Sequence, residues 1–165
     1  MNETIKALKI IYGAMTIGAV VFGLIVFLVC AVSSGSGSDP TAANVSAVKM
    51  LSLFVAATSV FTYLNAAMIF KKIVSSVKPG DQSDATFQKI RNAYIIRMAM
   101  LEGEAFLGLA VCLVAGVTGV LRSYPIYGLV SMPFIILVVF AVRTFPNQER
   151  ISRITGQQSS GNFIR

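Results

Sequence analysis

Three ionisable residues lie close together in an otherwise apolar part of the chain: Arg97, Glu102 and Glu104. An ionisable side chain at the centre of a membrane span costs about 3 kcal/mol, so such side chains generally face a bundle interior or a partner. A carboxylate there can fix the packing of a helix, or it can bind and release a proton or another cation. These residues are therefore the first candidates for a functional site.

Helical periodicity places Arg97 and Glu104 on one stripe of a single helix, with Glu102 pointing elsewhere. Arg97 and Glu104 are about 10 Å apart along the helix axis, which is a long distance for a direct ion pair. The same stripe carries small residues that would let a neighbouring helix approach closely, so we expect it to be buried. Its remaining members are Leu101, Gly108, Val111, Ala115 and Gly119.

Polar residues on other apolar segments could meet this stripe. The second segment contains Tyr63 and Asn65, and Asn65 lies about 9 Å inside the basic end of that segment, a depth similar to that expected for Glu104. Tyr12 occupies the corresponding end of the first segment. The sequence therefore predicts an intramembrane polar cluster of Arg97, Glu104, Asn65 and Tyr63, with Glu102 or Tyr12 as further members.

Three interpretations of this cluster remain open. In the first, Arg97 and the two glutamates lie at headgroup depth and fix the register of the helix without doing chemistry. In the second, desolvation favours a protonated Glu102 or Glu104, and the carboxyl couples to proton or cation movement. In the third, the charges dock a partner subunit.

The elements that position these residues are indicated by composition. Hydrophobic residues make up 55% of the 165-residue chain and charged residues 13%, and the mean hydropathy is +0.74. Soluble proteins carry about 25% charged residues, so the surroundings of this chain are lipid rather than water. We expect an all-α, integral membrane four-helix bundle that forms a single domain over residues 1–165.

Four apolar segments are long enough to cross a bilayer, for which about 20 helical residues are needed. They cover about 8–32, 50–70, 98–121 and 126–142. Asp39 and Pro40 read as the N-cap and first residue of the second helix. Pro133 is expected to kink the fourth span, with Ser131 nearby to satisfy freed backbone groups. The first span has a basic flank, so a cleaved secretory signal is an alternative for that segment alone.

The connecting segments differ in composition. Residues 33–39 are rich in Ser and Gly and predict a flexible outward loop, whereas the polar tail at about 155–165 predicts disorder. Gln88, Lys89 and Arg91 precede the third apolar segment, so its helix extends well beyond the membrane. Helices two and three are therefore predicted to form a hairpin that extends into the cytoplasm.

The basic residues set the predicted orientation, with both termini in the cytoplasm, because cytoplasmic loops carry an excess of Lys and Arg. Only Lys49 and Arg122 fall on the opposite side of a four-span chain. Since topology already explains the net charge of +7, no nucleic-acid partner is expected. The residues on the basic side are Lys6, Lys9, Lys71, Lys72, Lys78, Lys89, Arg91, Arg143, Arg150, Arg153 and Arg165.

Catalytic and metal chemistry find little support in the sequence. Histidine is absent, and Cys30 and Cys112 lie within apolar runs where a thiol behaves as a small hydrophobe. No metal-ligand spacing or nucleophile elbow is recognisable. We therefore expect no enzyme activity, no metal and no cofactor.

Two stretches carry a resemblance. The run from Arg97 to Gly103, continued by 105–109, and the later run Phe145 to Ile151 together resemble a group of small uncharacterised bacterial four-span membrane proteins. That group has an Arg-x-Ala-x-Leu-Glu-Gly helix and a proline-led basic tail. The likeness covers most of the chain in layout and about twenty residues in motif. It implies a bacterial inner-membrane location and no known activity.

The expected function is that of a small multi-pass protein serving as a structural or accessory subunit, with the lipid bilayer and a homo-oligomer or larger membrane complex as partners. The alternative is an oligomeric transporter or channel that uses the Arg/Glu cluster for proton or cation coupling. Four helices rarely enclose a pathway alone, so that alternative requires several copies.

Overall fold

The computed structural model describes residues 2–33, 39–77 and 84–146, and the side chains from Lys6 onward. These residues form helices and contain no strand. The long helices are α1 (Asn2–Ser33), α2 (Ala42–Ser75) and α3 (Asp84–Val117). A single turn, α4 (Val120–Ser123), leads to a 3-10 helix (Pro125–Ser131) that continues directly into α5 (Met132–Thr144).

Four helical segments in the described residues are long and apolar enough to cross a membrane. They are Lys6–Ser33, Ala42–Ser75, Asp84–Val117 and Pro125–Thr144. The predicted all-α fold, with four helices long and apolar enough to cross a membrane, is therefore confirmed for the described residues. The predicted outward loop at 33–39 falls mainly on 34–38, and the predicted disordered tail at about 155–165 follows residue 146, so both lie outside the described residues.

The helix α3 is the centre of the bundle. It packs against α1, α2, the 3-10 helix and α5. Half of its most apolar stretch is buried, against about a tenth of that of α2. The most apolar stretches of α1 and α2 are only 22% and 11% buried, so both helices present most of their apolar surface on the outside of the bundle.

Contacts between α2 and α3 show that the two helices run antiparallel. Val48, near the start of α2, packs with Ala115 near the end of α3, whereas Phe70 and Tyr94 meet ring to ring at 5.2 Å at the other end. This register decides which polar residues of α2 meet the stripe on α3.

The stripe on α3 is buried as the periodicity predicts: Leu101, Glu104, Gly108, Val111 and Ala115 are all buried. At Gly108 the absence of a side chain admits the backbone carbonyl of Val130 at the end of the 3-10 helix. Small residues therefore allow close backbone approach in this bundle.

The third span ends earlier than the sequence indicates. Residue 121 is the predicted end, but α3 ends at Val117 and Gly119 adopts a φ of 74° before α4 begins. Glycine adopts this left-handed conformation without the steric cost that other residues incur. The break separates α3 from the turn that redirects the chain into the fourth span.

The fourth span is not a kinked α-helix. Residues 125–131 form a 3-10 helix, and Pro133 is the second residue of α5, where its missing N–H removes no intrahelical bond. A 3-10 helix rises about 2.0 Å per residue against 1.5 Å for an α-helix. The combined segment is therefore about 34 Å long, enough to cross a hydrocarbon core of about 30 Å.

The start of α2 also differs from the expectation. The helix begins at Ala42, and its N-cap is Thr41, whose hydroxyl accepts a hydrogen bond from the backbone N–H of Asn44 at 3.2 Å. Asp39 and Pro40 precede the helix. A threonine hydroxyl at this position does what the Asp39 carboxylate was expected to do.

Candidate functional site

The most buried charged side chain among the described residues is Glu104 on α3, which is 5% exposed. Three hydroxyls of α2 surround its carboxyl group. Oε1 lies 3.0 Å from Thr58 Oγ1 and 2.8 Å from Ser59 Oγ, and Oε2 lies 3.2 Å from Thr62 Oγ1. We call these four residues the Glu104 site.

The helix α2 can present three hydroxyls together because of their spacing. Thr58 and Thr62 are one turn apart on the same face, and Ser59 is adjacent to that face. Thr58 Oγ1 is also within hydrogen-bond distance of two backbone carbonyls of its own helix, at 3.0 Å from Phe54 O and 3.1 Å from Val55 O. The Thr58 hydroxyl has one proton, so these carbonyls compete with Glu104 for it.

No cationic side chain within the described residues pairs with Glu104. The guanidinium of Arg97 instead lies between two aromatic rings, 4.8 Å from the centroid of Phe70 on α2 and 4.3 Å from that of Phe140 on α5. These distances suit cation–π interactions, which strengthen when the cation is desolvated. Arg97 and Glu104 share a stripe on α3 but have separate partners.

Tyr63 directly follows Thr62 on α2 and so lies next to the Glu104 site. Its hydroxyl donates to the backbone carbonyl of Pro133 at 3.3 Å. This contact joins α2 to the first turn of α5. Tyr63 therefore belongs to the surroundings of the site, although its hydroxyl bonds to α5 and not to Glu104.

The other predicted members lie elsewhere. Asn65 donates to the carbonyl of Phe61 on its own helix at 2.7 Å. Glu102 is partly buried and has no hydrogen bond or ion pair among the described residues. The buried Tyr12 shares a hydrogen bond of 2.7 Å with Thr144 and so connects α1 to the end of α5. The structure thus divides the predicted cluster between separate contacts.

Three residues of the site were not among the sequence candidates: Thr58, Ser59 and Thr62. Hydroxyls in membrane helices commonly bond to their own backbone, so a run of them gives a weak signal. The i, i+1, i+4 spacing was the available clue. The estimate of depth favoured Asn65 over Thr62 because it could not include the register between α2 and α3.

A cavity of about 300 Å³ adjoins the site. It lies between α2 and the segment formed by the 3-10 helix and the start of α5, and apolar side chains dominate its lining. Ser59 lines this cavity and also contacts Glu104. The carboxyl group is therefore one hydroxyl away from a space at the side of the bundle. Its polar or aromatic lining residues are Ser52, Ser59, Tyr63 and Tyr127.

Other chemistry has few candidates in the described parts of the chain. No group of three or more His, Cys, Asp or Glu residues there could hold a metal ion. Cys30 and Cys112 are buried and not joined in a disulfide, and the thiol of Cys30 donates to the backbone carbonyl of Cys112 at 3.6 Å. The Cys30 side chain also fills the space above Gly116. These cysteines therefore serve the packing of α1 on α3.

The chain was compared with protein-family models, with curated proteins and with solved structures, and it matches none of them.

Proposed function

We propose that this chain is a structural or accessory subunit of the bacterial inner membrane that acts within a homo-oligomer or a larger membrane complex. The observation that carries the proposal is the Glu104 site, in which a buried carboxyl group is held by three hydroxyls of a neighbouring helix. Each hydrogen bond of this kind contributes about 0.6 kcal/mol within a membrane. Together they fix the register of α2 on α3 and leave the outer faces of the bundle free.

The exposed faces support a role in assembly. Ile17, Leu24 and Leu28 on α1 are each more than half exposed, as are Leu53 and Phe61 on α2. Lipid satisfies such surfaces, and so does a partner helix, because lipid tails and leucine side chains are equally apolar. An accessory subunit uses these faces without needing an internal pathway or catalytic groups.

In the orientation that we propose, both termini are cytoplasmic and helices α2 and α3 form a hairpin that extends into the cytoplasm. The supporting evidence is the excess of basic residues on that side. Lys71 and Lys72 near the end of α2, and Lys89 and Arg91 near the start of α3, would lie in this hairpin. The resemblance to bacterial four-span proteins is consistent with the inner membrane.

Co-purification tests the proposed role. The full chain, tagged and extracted in mild detergent after chemical cross-linking in intact cells, should elute in a complex larger than the monomer with a defined stoichiometry. The same experiment on a polar substitution of the exposed face, Leu24→Asn with Leu28→Asn, should lose the complex if α1 is the contact. A chain that remains monomeric with and without cross-linker would contradict the proposal.

The second candidate is an oligomeric transporter or channel with proton or cation coupling at Glu104. The position of Ser59 favours it, because this residue contacts both the carboxyl group and the cavity between α2 and the fourth span. Glu104→Gln should then leave assembly intact and abolish pH-dependent flux in liposomes. Unchanged flux would contradict transport through this site.

A further inference from the structure

The cavity beside α2 is elongated along the helices. Its wall on α2 runs from Ser52 to Tyr63, about 16 Å along the helix axis. Its opposite wall runs from Ile126 in the 3-10 helix to Ile136 in α5. One leaflet of a bilayer occupies half of a hydrocarbon core of about 30 Å, which is about 15 Å. The cavity is therefore about as long as the hydrocarbon part of one leaflet.

Small side chains on α2 and exposed ones on the fourth span leave this space open to the side. Helical periodicity puts Ser52, Ala56 and Ser59 on one face of α2, and all three line the cavity. On the other wall, side chains three residues apart eclipse one another in a 3-10 helix, so Ile126 and Leu129 form one ridge. Both are more than half exposed. The cavity therefore opens on the outside of the bundle, where lipid lies.

The width of the cavity suits a hydrocarbon chain and not a helix. Its volume of about 300 Å³, spread over a length of about 16 Å, gives a mean cross-section of about 20 Å². That is about 4.5 Å across, close to the separation of about 4 Å at which carbon atoms are in van der Waals contact. A helix with its side chains is about 10 Å in diameter, so a second transmembrane helix cannot enter.

Three of the four hydroxyl groups that line the cavity already bond within the bundle. Ser52 donates to a carbonyl of its own helix, Ser59 contacts Glu104, and Tyr63 donates to Pro133. A polar occupant would lose its hydration here without gaining partners, which is costly, whereas an acyl chain has no such cost. The chemistry of the lining therefore favours a hydrocarbon.

Basic side chains flank one end of the cavity. Lys49 lies on the same face of α2 as Ser52, about 4.5 Å further along the axis, and is exposed. Val48 and Tyr127 pack in one cluster, which places this part of α2 beside the start of the 3-10 helix. Arg122, in the turn that precedes the 3-10 helix, is also exposed. An anionic headgroup at this end of the cavity would therefore meet two cations.

We propose that the cavity binds one acyl chain of an anionic phospholipid, whose phosphate lies beside Lys49 and Arg122. Tyr124 and Tyr127, whose rings meet edge to face at 6.4 Å, then lie at headgroup depth, where tyrosine is enriched. The bound lipid fills the gap between α2 and the fourth span. The inference goes beyond an accessory role and does not depend on it, because a single copy of the chain carries the whole site.

Native mass spectrometry of the full chain in detergent tests the headgroup, with phosphatidylglycerol and phosphatidylcholine of identical acyl chains added in turn. The unchanged chain should retain one phosphatidylglycerol about twentyfold more tightly than phosphatidylcholine, because each base contributes about fivefold near an anionic lipid. Lys49→Gln with Arg122→Gln should bind both lipids equally. Lys71→Gln with Lys72→Gln, at the other end of α2, is the matched control and should keep the preference.

Filling the cavity tests the acyl chain. Ala56→Phe places a ring in the cavity and should abolish retention of either lipid, whereas Ala57→Phe, next to it but outside the lining, should not. Ser52→Leu fills the same cavity and replaces Ala56→Phe if that variant does not fold. Inorganic phosphate in large excess should not displace the lipid, because it has no chain.

Three results would overturn the proposal. The first is lipid retention that neither Ala56→Phe nor Ser52→Leu reduces, or an unchanged chain that shows no preference between the two lipids. The second is displacement of the lipid by inorganic phosphate, which would indicate an anion site on the surface alone. The third is a dimer that Ala56→Phe dissociates, which would assign the cavity to a side chain of a second copy.

Discussion

Two charged side chains on α3 lie on the same stripe, seven residues apart, and the bundle accommodates them differently. Arg97 is held by the faces of Phe70 and Phe140, whereas the Glu104 carboxyl group is held by hydroxyls. A cation is stabilised by the negative faces of aromatic rings, and a carboxyl group by O–H donors. Opposite charges within one membrane helix therefore need not pair. Each contact can be disrupted without removing the other.

Removing the hydroxyls should have the largest effect. The triple variant Thr58→Val, Ser59→Ala, Thr62→Val leaves the Glu104 carboxyl group buried with no donor, which should lower the free energy of unfolding by about 3 kcal/mol. Unfolding in mixed micelles measures it. Thr118→Val is the control, because that hydroxyl, one residue past the end of α3, donates to the carbonyl of Val114 in the last turn of α3 through an exposed hydrogen bond. Equal losses in the two variants would argue against the site.

Adding one methyl group at Gly108 should cause the second largest loss of unfolding free energy. A side chain there meets the carbonyl of Val130, so α3 and the 3-10 helix must separate. We expect Gly108→Ala to cost about 2 kcal/mol, as overpacking of a close contact does. Gly103→Ala is the matched control on the same helix, because nothing lies within 4 Å of a side chain added there. A similar unfolding free energy for both variants would show that the close approach is not required.

Loss of the aromatic contact of Arg97 should lower the free energy of unfolding by less than the change at Gly108. Arg97→Met removes the charge between Phe70 and Phe140 and should cost about 1 kcal/mol, the usual size of a partly desolvated cation–π interaction. The same substitution made in a Glu104→Gln background should cost the same to within about 0.5 kcal/mol, because the two groups share no partner. A clear departure from additivity in the unfolding measurements would mean that the two regions are coupled.

The smallest effect concerns Tyr63. Tyr63→Phe removes the hydrogen bond to the carbonyl of Pro133 and should cost about 0.6 kcal/mol. Asn65→Leu removes a bond within α2 alone, so it should change the packing of α2 on α3 very little. Unfolding free energies for the two variants check this order. A larger loss of unfolding free energy for Asn65→Leu than for Tyr63→Phe would show that Asn65 contributes to the packing of α2 on α3, as the predicted polar cluster requires.

The sequence predicted the architecture well because hydrophobic length is a local property. Four apolar segments, the central buried stripe and the burial of Glu104 follow from composition and helical period. The end of α3 was harder to predict from the sequence, because the apolar stretch continues through Gly119 and gives no sign of the left-handed turn there. The 3-10 helix at 125–131 was missed for a similar reason, because its composition does not differ from that of a spanning α-helix.

The candidate site was predicted in part. Glu104 and Arg97 were identified because charge in an apolar segment is conspicuous, but their partners depend on the register between helices. A shift of one turn along α2 replaces Asn65 by Thr62 opposite Glu104. Aromatic partners such as Phe70 and Phe140 are equally hard to identify, since an apolar helix contains many rings that simply face lipid.

The most direct test of the account is a double-mutant cycle between α2 and α3. Ser59→Ala with Thr62→Val on α2 is combined with Glu104→Leu on α3, and the free energy of unfolding is measured for each variant in the same micelles. The hydroxyl changes should be costly beside Glu104 and almost neutral beside Leu, which gives a coupling energy above about 1 kcal/mol. A coupling no larger than that between Asn65→Leu and Glu104→Leu would contradict the central claim that α2 holds the Glu104 carboxyl group.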